Sequence, residues 1–348
     1  MNKPHTYLIG EIGQNHNGSM ELAKKLIDQA ARPVLDELFN VKLKTWDAVK
    51  FTKRDLSEEL SASAMAKPYD SPHSFGRTYG EHREVLELDD LQHFELYRYA
   101  KSKGLQFVET LCALGCLSML KHFEPDRLKV ASRDLTNLPL LNAMAETGIP
   151  MIVSTGMGGE EEIDDALGVI TKFHDKVTIL HCLSQYPSEY KNINLNSIHY
   201  LKDRYSDFEV GYSDHSIGIA IPLAAVAMGA TTIEKHITLD RSMKGTDQAG
   251  SLAPDGMHRM VRDIRNLELS FGKNEKVKSE AVELAKIKLE RSLATKTNLK
   301  AGDIIKDSDL HLLSPGDGFK WVEKDKLIGK TLSQDIKADE VIYKSMLI

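Results

Sequence analysis

The sequence predicts a (β/α)8 barrel followed by a small, strand-rich second domain, and three observations support this fold class. Its 348 residues exceed a single small fold at roughly 150 residues per domain. Short β-type runs alternate with amphipathic segments up to Gly272, as parallel βαβ units do, and the alternation then stops. An open doubly wound sheet would also alternate, but no G-x-G-x-x-G pattern follows the first run, which favours the barrel.

Eight β-type runs are the expected barrel strands, and the amphipathic segments between them are the expected helices. Ser19 and Asn137 supply plausible N-terminal caps for two of these helices. The strands are expected at residues 7–13, 47–52, 105–111, 127–132, 150–155, 177–184, 209–213 and 231–237. The helices are expected at residues 19–31, 91–103, 137–147, 160–173 and 217–228.

Two segments interrupt this alternation. Residues 51–88 are too long for an ordinary βα connection, and they contain Pro68, Pro72, Gly76 and Gly80, so we predict an active-site loop there. Residues 273–291 form a charged, helical stretch with no strand. The expected domains are therefore a barrel at residues 1–272, a helical linker at residues 273–291 and a strand-rich domain at residues 292–348.

The composition excludes several classes of protein. Hydrophobic residues make up 41% and charged residues 28%, which excludes a disordered chain or a disulfide scaffold. The net charge of −6, with no block of like charge, argues against nucleic acid as a partner. Cys112, Cys116 and Cys182 are expected to be reduced thiols. Because no signal-peptide pattern or membrane-spanning apolar run is present, we expect a cytoplasmic protein without a membrane partner.

Polar side chains stand at the end of every expected strand. Barrel enzymes carry their active sites at the carboxyl ends of the strands. A polar group at such a position must find a partner or face a cavity. The strand-end residues are Glu11, Asn15, Lys50, Thr110, Lys129, Ser132, Ser154, Ser184, Ser213, His215, Glu234 and His236.

His215 and His236 end neighbouring strands and are candidate ligands of one divalent cation. Two imidazoles leave coordination positions open for water and substrate, which suits a Lewis acid that polarises a carbonyl group. The alternative is that each histidine is simply a satisfied polar residue.

Lys50 and Lys129 lie on either side of the third strand, with a ring of hydroxyl groups around them. Three interpretations remain open. The lysines and hydroxyls could bind a small phosphorylated anion through charge-assisted hydrogen bonds. They could instead be solvated residues at the barrel rim. Alternatively, Lys129 could form a Schiff base with a carbonyl substrate.

Carboxylates and one glycine-rich turn complete the candidates. Glu11, Glu234, Asp134 and Asp247 could transfer protons or bind substrate hydroxyls, although any one of them could be a solvated rim acid. Residues 156–159, Gly-Met-Gly-Gly, could offer backbone amides to a phosphate, or could simply form a tight strand-to-helix turn.

These residues lie within motifs that resemble the sialic acid synthase family, and the similarity extends from end to end of the chain. The carboxyl-terminal segment is similar to that family's antifreeze-like (SAF) domain, through Arg291-Ser-Leu and Leu299-Lys-Ala-Gly-Asp. The barrel motifs are Glu11-Ile-Gly-Gln-Asn-His-Asn-Gly-Ser, Val49-Lys-Phe, Tyr79-Gly-Glu-His, Ser154-Thr-Gly-Met, Leu180-His-Cys-Leu-Ser-Gln-Tyr-Pro, Gly211-Tyr-Ser-Asp-His and Ile233-Glu-Lys-His-Ile-Thr-Leu-Asp.

The resemblance implies a reaction and a role for each residue. Phosphoenolpyruvate would condense with a hexose or N-acylhexosamine to give a nonulosonic 2-keto-3-deoxy sugar acid and phosphate, by cleavage of a C–O bond. Two chains would form a domain-swapped homodimer. His215 and His236 would hold Mn²⁺ or Mg²⁺; Lys50, Thr110, Lys129, Ser132, Ser154, Ser184 and Ser213 would bind phosphoenolpyruvate; Glu11, Glu234 and Asp247 would be catalytic; and Thr52, Asp134, Tyr186, Asp247 and Ser314 would contact the sugar.

Three positions depart from the family pattern, and all are on the sugar side of the implied site. The family commonly has Gln where this chain has Thr52, and Gly where it has Arg133. Its bacterial members have Arg where this chain has Ser314. These departures leave the acceptor sugar open. Two rival functions are a Schiff-base aldolase that uses Lys129, and a carbohydrate-binding barrel that has lost catalysis.

Overall fold

The computed structural model, which describes residues 5–348, contains a closed barrel of eight parallel strands. Each strand pairs with its sequence neighbours among these eight, and the last pairs with the first, so the predicted (β/α)8 barrel is confirmed. The barrel strands are β1 (Tyr7–Gly13), β4 (Ala48–Lys53), β5 (Gln106–Leu111), β6 (Arg127–Val130), β7 (Met151–Ser154), β8 (Val177–Cys182), β9 (Glu209–Asp214) and β10 (Thr232–His236).

Helices cover the outside of the barrel and begin at the expected caps. The Ser19 side chain accepts a hydrogen bond from the amide of Leu22, and the Asn137 side chain accepts one from the amide of Leu140. The main helices are α1 (Met20–Ala31), α5 (Asp90–Ser102), α6 (Leu138–Glu146), α7 (Glu160–Ile170), α9 (Ser197–Arg204), α10 (Ala220–Ala227) and α11 (Pro254–Ser270).

The connection from β4 to α5 is more ordered than the expected loop at residues 51–88. It contains three short helices, α2 (Leu56–Glu59), α3 (Ala62–Met65) and α4 (Tyr79–Leu86). A capping box begins α4, because Thr78 and Glu81 each accept a hydrogen bond from the other's backbone amide. Sequence analysis also missed a hairpin of two three-residue strands, β2 (Val34–Asp36) and β3 (Val41–Leu43), and the short helix α8 (Tyr190–Ile193).

The interior of the barrel has two layers, which follow from the two-residue period of a strand. The lower layer is apolar and consists of Ile9, Ala48, Val108, Ile152 and Leu180. Side chains two residues further along a strand point to the same face. That step places Glu11, Lys50, Thr110, Ser154 and Cys182 above the apolar layer, at the carboxyl ends of the strands. The fold therefore closes the bottom of the barrel and assembles polar groups at its top.

A second compact unit begins at Gly272. Strands β11 (Ser292–Thr295) and β12 (Leu310–Leu313) form an antiparallel pair. Within residues 273–291 helix begins only at Glu280, as a short 3-10 turn followed by α12 (Glu283–Leu289). The core of the unit is small and consists of Leu293, Ile305, Leu310, Leu327, Leu332, Ile336 and Ile342. Among residues 5–348 no helix is long and apolar enough to cross a membrane.

One arginine joins the last barrel helix to the start of two strands. Arg265 of α11 has a side chain only 5% exposed, and its Nη2 lies 2.8 Å from Oδ2 of Asp47, which precedes β4. The same guanidinium also donates to the backbone carbonyls of Thr6, Lys44 and Thr45. Its loss would leave Asp47 buried beside unsatisfied carbonyl groups.

We therefore expect Arg265→Met to lower the free energy of unfolding by about 1–3 kcal/mol, because it leaves buried carbonyl groups without their donor while Lys44 still pairs with Asp47. The control is Arg262→Met on the same helix, whose ion pair with Asp263 is 38% and 28% exposed. That control should change stability by about 0–1 kcal/mol. Urea unfolding of the full chain, followed by circular dichroism, measures both. Equal midpoints for the two variants would contradict the role given to Arg265.

Candidate active site

The polar layer opens into a cavity of about 280 Å³ at the carboxyl ends of the barrel strands. This is the position at which barrel enzymes carry their active sites. The structure brings most of the predicted site residues together around this cavity. They are Glu11, Lys50, Thr52, Thr110, Lys129, Ser132, Ser154, Ser184, Tyr186, Ser213, His215, Glu234, His236 and Asp247.

Two lysines and two glutamates form a buried charged cluster at the floor of the cavity. Lys50 Nζ lies 2.9 Å from Glu11 Oε2 and 3.7 Å from Glu234 Oε1, and it donates to Thr110. Lys129 Nζ lies 4.0 Å from Glu234 Oε2. All four charged side chains are 7% exposed or less. The cluster is thus nearly neutral in the absence of a ligand.

The two glutamates have opposite tendencies to ionise. Burial raises the pKa of Glu11 to about 7, although the nearby Lys50 acts in the other direction. Burial acts upward on the pKa of Glu234 as well, but the charges of Lys129 and Lys50 together outweigh it and lower that pKa. Two acids whose environments separate their pKa values can divide the roles of proton donor and ionised base.

The two lysines also differ. Burial acts to lower the pKa of Lys50, but the carboxylates of Glu11 and Glu234 outweigh it and raise that pKa. For Lys129 burial prevails and lowers the pKa, because Glu234 attracts the ammonium less strongly. Lys129 donates to Ser154 Oγ at 2.6 Å and to the carbonyl of Val130 at 2.9 Å.

The glycine-rich turn after β7 supports the pocket through its shape. The amide of Gly156 donates to Ser132 Oγ at 3.0 Å, and the amides of Gly158 and Gly159 donate to Thr155 and Glu162. Because these amides already have partners, the geometry favours the tight strand-to-helix turn over a backbone phosphate cradle. A Cβ atom at Gly156 would lie 2.6 Å from Ser184 Oγ and 2.9 Å from Ser132 Oγ.

His215 and His236 stand side by side at the wall of the cavity, with ring centroids 5.6 Å apart. The Nδ1 of His215 donates to the carbonyl of Leu183 at 2.9 Å, which leaves the lone pair on Nε2. The Nδ1 of His236 is buried and has no hydrogen-bond partner among residues 5–348. A buried ring nitrogen without a partner is suited to bind a metal ion. The ring of Tyr186 packs against that of His215, with the ring centroids 4.0 Å apart.

Residues 5–348 offer no larger set of metal ligands than this pair of histidines. Among the described residues no group of three or more His, Cys, Asp or Glu side chains has the geometry to hold a metal ion. A cation at the two histidines would therefore take its remaining ligands from water and substrate, which is the open coordination of a catalytic site rather than the closed coordination of a structural one.

A fully buried ion pair lies behind the histidines, and sequence analysis missed it. Lys235 and Asp214 are register partners on β10 and β9, and their side chains are 0% exposed with Nζ and Oδ2 2.5 Å apart. Asp214 also accepts from the hydroxyl of Tyr212 and the amide of Ser216. Because neighbours along a strand point to opposite faces, these charges point away from the cavity while His215 and His236 point into it.

Two predicted sugar contacts lie outside this cavity lining. Asp134 is buried beside Arg133, with Arg133 Nε 3.2 Å from its Oδ2, and burial keeps the pKa of Asp134 raised. Ser314 belongs to the second unit, where it donates to the carbonyl of Leu289 and accepts from Arg291. In contrast, Gln14, Arg54 and Arg83 line the cavity and were not predicted.

Comparison with protein families then identifies the chain. Residues 41–276 match the model of the NeuB family, and residues 290–348 match that of the SAF domain. The chain belongs to the NeuB family. The expected resemblance to sialic acid synthases with a carboxyl-terminal SAF domain is thereby confirmed.

Relatives of this NeuB-family chain include synthases of nonulosonic acids. The N-acetylneuraminate-9-phosphate synthase of Homo sapiens is 32% identical over 343 residues, which cover 98% of this chain and 92% of the relative. The N,N'-diacetyllegionaminic acid synthase of Campylobacter jejuni is 34% identical and covers 97% of this chain and 98% of its own. This level of similarity confirms that the chain is an enzyme of the sialic-acid-synthase type.

Solved structures agree with this assignment. A sialic acid synthetase from Leptospira borgpetersenii, in complex with citrate, has a TM-score of 0.66 and 31% identity, and covers 81% of this chain and 90% of that one. The spore coat polysaccharide biosynthesis protein spsE of Bacillus subtilis has a TM-score of 0.62 and 27% identity, and covers 99% of this chain and 95% of that one.

The close packing of Gly156 against Ser132 and Ser184 tests whether these two serines bind phosphoenolpyruvate. Gly156→Ala should displace Ser132 and Ser184 and weaken phosphoenolpyruvate binding about 10- to 100-fold, because forcing a methyl group into a packed site costs ~1–3 kcal/mol. The control is Gly159→Ala in the same turn, where the nearest atom to a new Cβ is 3.5 Å away. Isothermal titration calorimetry measures both variants. Unchanged affinity in Gly156→Ala would place the ligand away from these serines.

Proposed function

We propose that this enzyme condenses phosphoenolpyruvate with a hexose or N-acylhexosamine to give a nonulosonic 2-keto-3-deoxy sugar acid and phosphate. The observation that carries the proposal is the polar layer of the barrel, in which two buried lysines, two glutamates and two histidines line one cavity. Membership of a family of nonulosonic acid synthases supports the same reaction class.

The lysines and the surrounding hydroxyls are the proposed phosphoenolpyruvate site. Lys50 and Lys129 offer two ammonium groups where water is largely excluded, so their attraction for a small anion is strong. The hydroxyl groups would fix the orientation of the bound anion. They belong to Thr110, Ser132, Ser154, Ser184 and Ser213.

His215 and His236 are the proposed ligands of a divalent metal ion, Mn²⁺ or Mg²⁺. When bound, this ion would supply Lewis-acid polarisation of the acceptor aldehyde. The fit rests on the unpartnered buried Nδ1 of His236 and on the free Nε2 of His215. The ring of Tyr186, beside His215, would limit the orientations open to the acceptor.

The reaction needs one C–C bond to form and one C–O bond to break. The C3 carbon of phosphoenolpyruvate attacks the aldehyde carbon, water adds at C2, and phosphate leaves with the bridging oxygen. Glu11, with its raised pKa, would give a proton to the aldehyde oxygen as it becomes a hydroxyl. Glu234, held ionised by the two lysines, would stabilise positive charge at C2 and take the proton from the incoming water.

The acceptor sugar is proposed only as a class, because the relatives differ in their products. Their names specify N-acetylneuraminate-9-phosphate, N,N'-diacetyllegionaminic acid and pseudaminic acid. Thr52 and Asp247 line the cavity and are proposed to contact the sugar. Asp134 would contact the sugar only if its contact with Arg133 were released. Ser314, in the second unit, is proposed as a sugar contact from the family resemblance alone.

A second candidate function follows from the lowered pKa of Lys129, which is a property of Schiff-base lysines. Borohydride trapping of a carbonyl substrate on Lys129, with activity that survives chelation of metals, would favour an aldolase. A catalytically inactive carbohydrate-binding barrel is the third candidate. Sugar binding without turnover under all metal conditions would favour it.

Assembly and location complete the proposal. We propose a domain-swapped homodimer, supported by the small core of the SAF unit, which has little apolar surface of its own to bury. Light scattering of the full chain and of a chain ending at Phe271 tests whether the SAF unit carries the dimer contact. A reducing, cytoplasmic location is supported by three buried thiols without disulfides, Cys112, Cys116 and Cys182.

The first test is phosphate release from phosphoenolpyruvate, with Mn²⁺ or Mg²⁺ and a panel of hexoses and N-acylhexosamines. We expect release with at least one sugar, and phosphoenolpyruvate labelled with ¹⁸O at the bridging oxygen should transfer the label to phosphate. Label retained in the sugar acid would exclude C–O cleavage. If no sugar releases phosphate and phosphoenolpyruvate does not bind, the proposed reaction is wrong.

The second test concerns the metal ligands. His215→Ala and His236→Ala should each lower kcat by about 10²-fold or more, because each removes a proposed ligand of the activating ion. Both variants should bind Mn²⁺ more weakly, as measured by electron paramagnetic resonance. The control is His199→Ala, outside the cavity on α9. Near-normal Mn²⁺ affinity in either active-site variant would show that the substituted histidine is not a ligand of the metal ion.

A further inference from the structure

Arg83 is a cavity-lining cation that makes no direct ion pair among the described residues. It lies on α4, is half-buried, and has no carboxylate oxygen within 4.0 Å among residues 5–348. Neutral groups hold it in place. Its Nη1 donates to Gln14 Oε1 at 2.5 Å, its Nε donates to the hydroxyl of Tyr79 at 2.9 Å, and its guanidinium lies 4.9 Å from the Tyr79 ring centre.

The two other arginines of the cavity differ in this respect. Arg54 Nη1 lies 2.6 Å from Glu59 Oε1, and Arg133 Nη1 lies 2.9 Å from the same oxygen. Arg133 also contacts Asp134. The charges of Arg54 and Arg133 are thus compensated by direct ion pairs, while Arg83, among the residues that the structure describes, has no carboxylate oxygen within 4.0 Å.

Gln14 provides the second, independent observation. It follows β1, lines the same cavity and is only 8% exposed. Its Oε1 accepts a hydrogen bond from Arg83, which fixes the orientation of the amide group. Its amide nitrogen Nε2 is buried without a hydrogen-bond partner among the described residues. A buried donor without an acceptor is costly and rare in folded proteins. A ligand atom that accepts hydrogen bonds would satisfy it.

We infer that Arg83 and Gln14 bind a phosphate group of the acceptor sugar, at the end of the sugar remote from its aldehyde. This inference rests on the proposed function, in which the two lysines already bind the anion of phosphoenolpyruvate. Arg83 and Gln14 come from α4 and the loop after β1, outside the lysine-bearing strands. A second anion there belongs to the second substrate, and a guanidinium with an adjacent amide suits the several oxygens of a phosphate.

The test compares each acceptor with its phosphorylated form. N-acetylmannosamine, mannose, their 6-phosphates and mannuronic acid are supplied with phosphoenolpyruvate and Mn²⁺, and phosphate release gives kcat/KM. We expect the 6-phosphate to exceed its parent sugar by about 10- to 100-fold, the range for a charged hydrogen bond. Arg83→Gln should bring the ratio of kcat/KM for the phosphorylated sugar to kcat/KM for its parent sugar close to one, whatever its effect on overall turnover.

Two further variants separate recognition from folding. Gln14→Glu keeps the contact with Arg83 but places a carboxylate beside it, so it should also remove the preference for the phosphorylated sugar. Arg98→Gln is the control, because Arg98 lies over the Phe94 ring on α5 and does not line the cavity. A purely structural role for Arg83 would lower turnover of both forms of the sugar equally, and that result would overturn the inference.

The remaining outcomes are distinct from failure of the proposed function. Turnover with the unphosphorylated sugar equal to or better than that with its phosphate overturns this inference and leaves the condensation reaction intact. If the enzyme prefers mannuronic acid, Arg83 and Gln14 bind a carboxylate rather than a phosphate, and the inference is likewise overturned. Absence of phosphate release with every sugar contradicts the proposed function, and this inference falls with it.

Discussion

The charged cluster of Lys50, Lys129, Glu11 and Glu234 is the constraint on which the rest of the barrel depends. Each ion placed in a dry interior loses several kcal/mol of hydration, so the four charges are stable there only while they compensate one another. The apolar layer beneath them keeps water out of the barrel from below. Their position two residues above that layer follows directly from the alternation of a strand.

The same cluster explains how the cavity could bind an anionic substrate. Before binding, each lysine is near a carboxylate, at 2.9 Å for Lys50 and Glu11 and at 4.0 Å for Lys129 and Glu234. A negative ligand beside these carboxylates acts to raise the pKa of each. Glu11, whose pKa is already about 7, is the group that would then hold a proton. Ligand charge and retention of the catalytic proton are therefore physically coupled.

The sequence was sufficient for the barrel because buried parallel strands read as apolar runs, and those runs end in polar residues where the barrel opens. It was insufficient where the elements are too short to show a period. Strands β2 and β3 have three residues each, and α2 and α3 have four each. Proline and glycine within residues 51–88 suggested a loop, although capping by Thr78 and Glu81 is enough to begin α4.

The predictable part of the site was the part that lies on strands. Lys50 and His236 occupy strand ends, whose convergence the barrel guarantees. Gln14 and Arg83 meet only because α4 lies against the loop after β1, a contact across 69 positions of the chain. No local pattern marks such a pair. The buried pair Lys235 and Asp214 was missed for the opposite reason, since its charges alternate with site residues along β9 and β10.

One departure from the family pattern, Arg133, takes part in a network of ion pairs at the cavity. A glycine at position 133 has no side chain to reach Glu59 or Asp134, whereas Arg133 contacts both, and Asp134 lies outside the cavity lining. Glu59 in turn is shared with Arg54, two residues beyond Thr52 at the end of β4. Arg133 and Arg54 therefore share one carboxylate, that of Glu59. This network leaves Arg83 as the cavity arginine whose charge is available to a substrate.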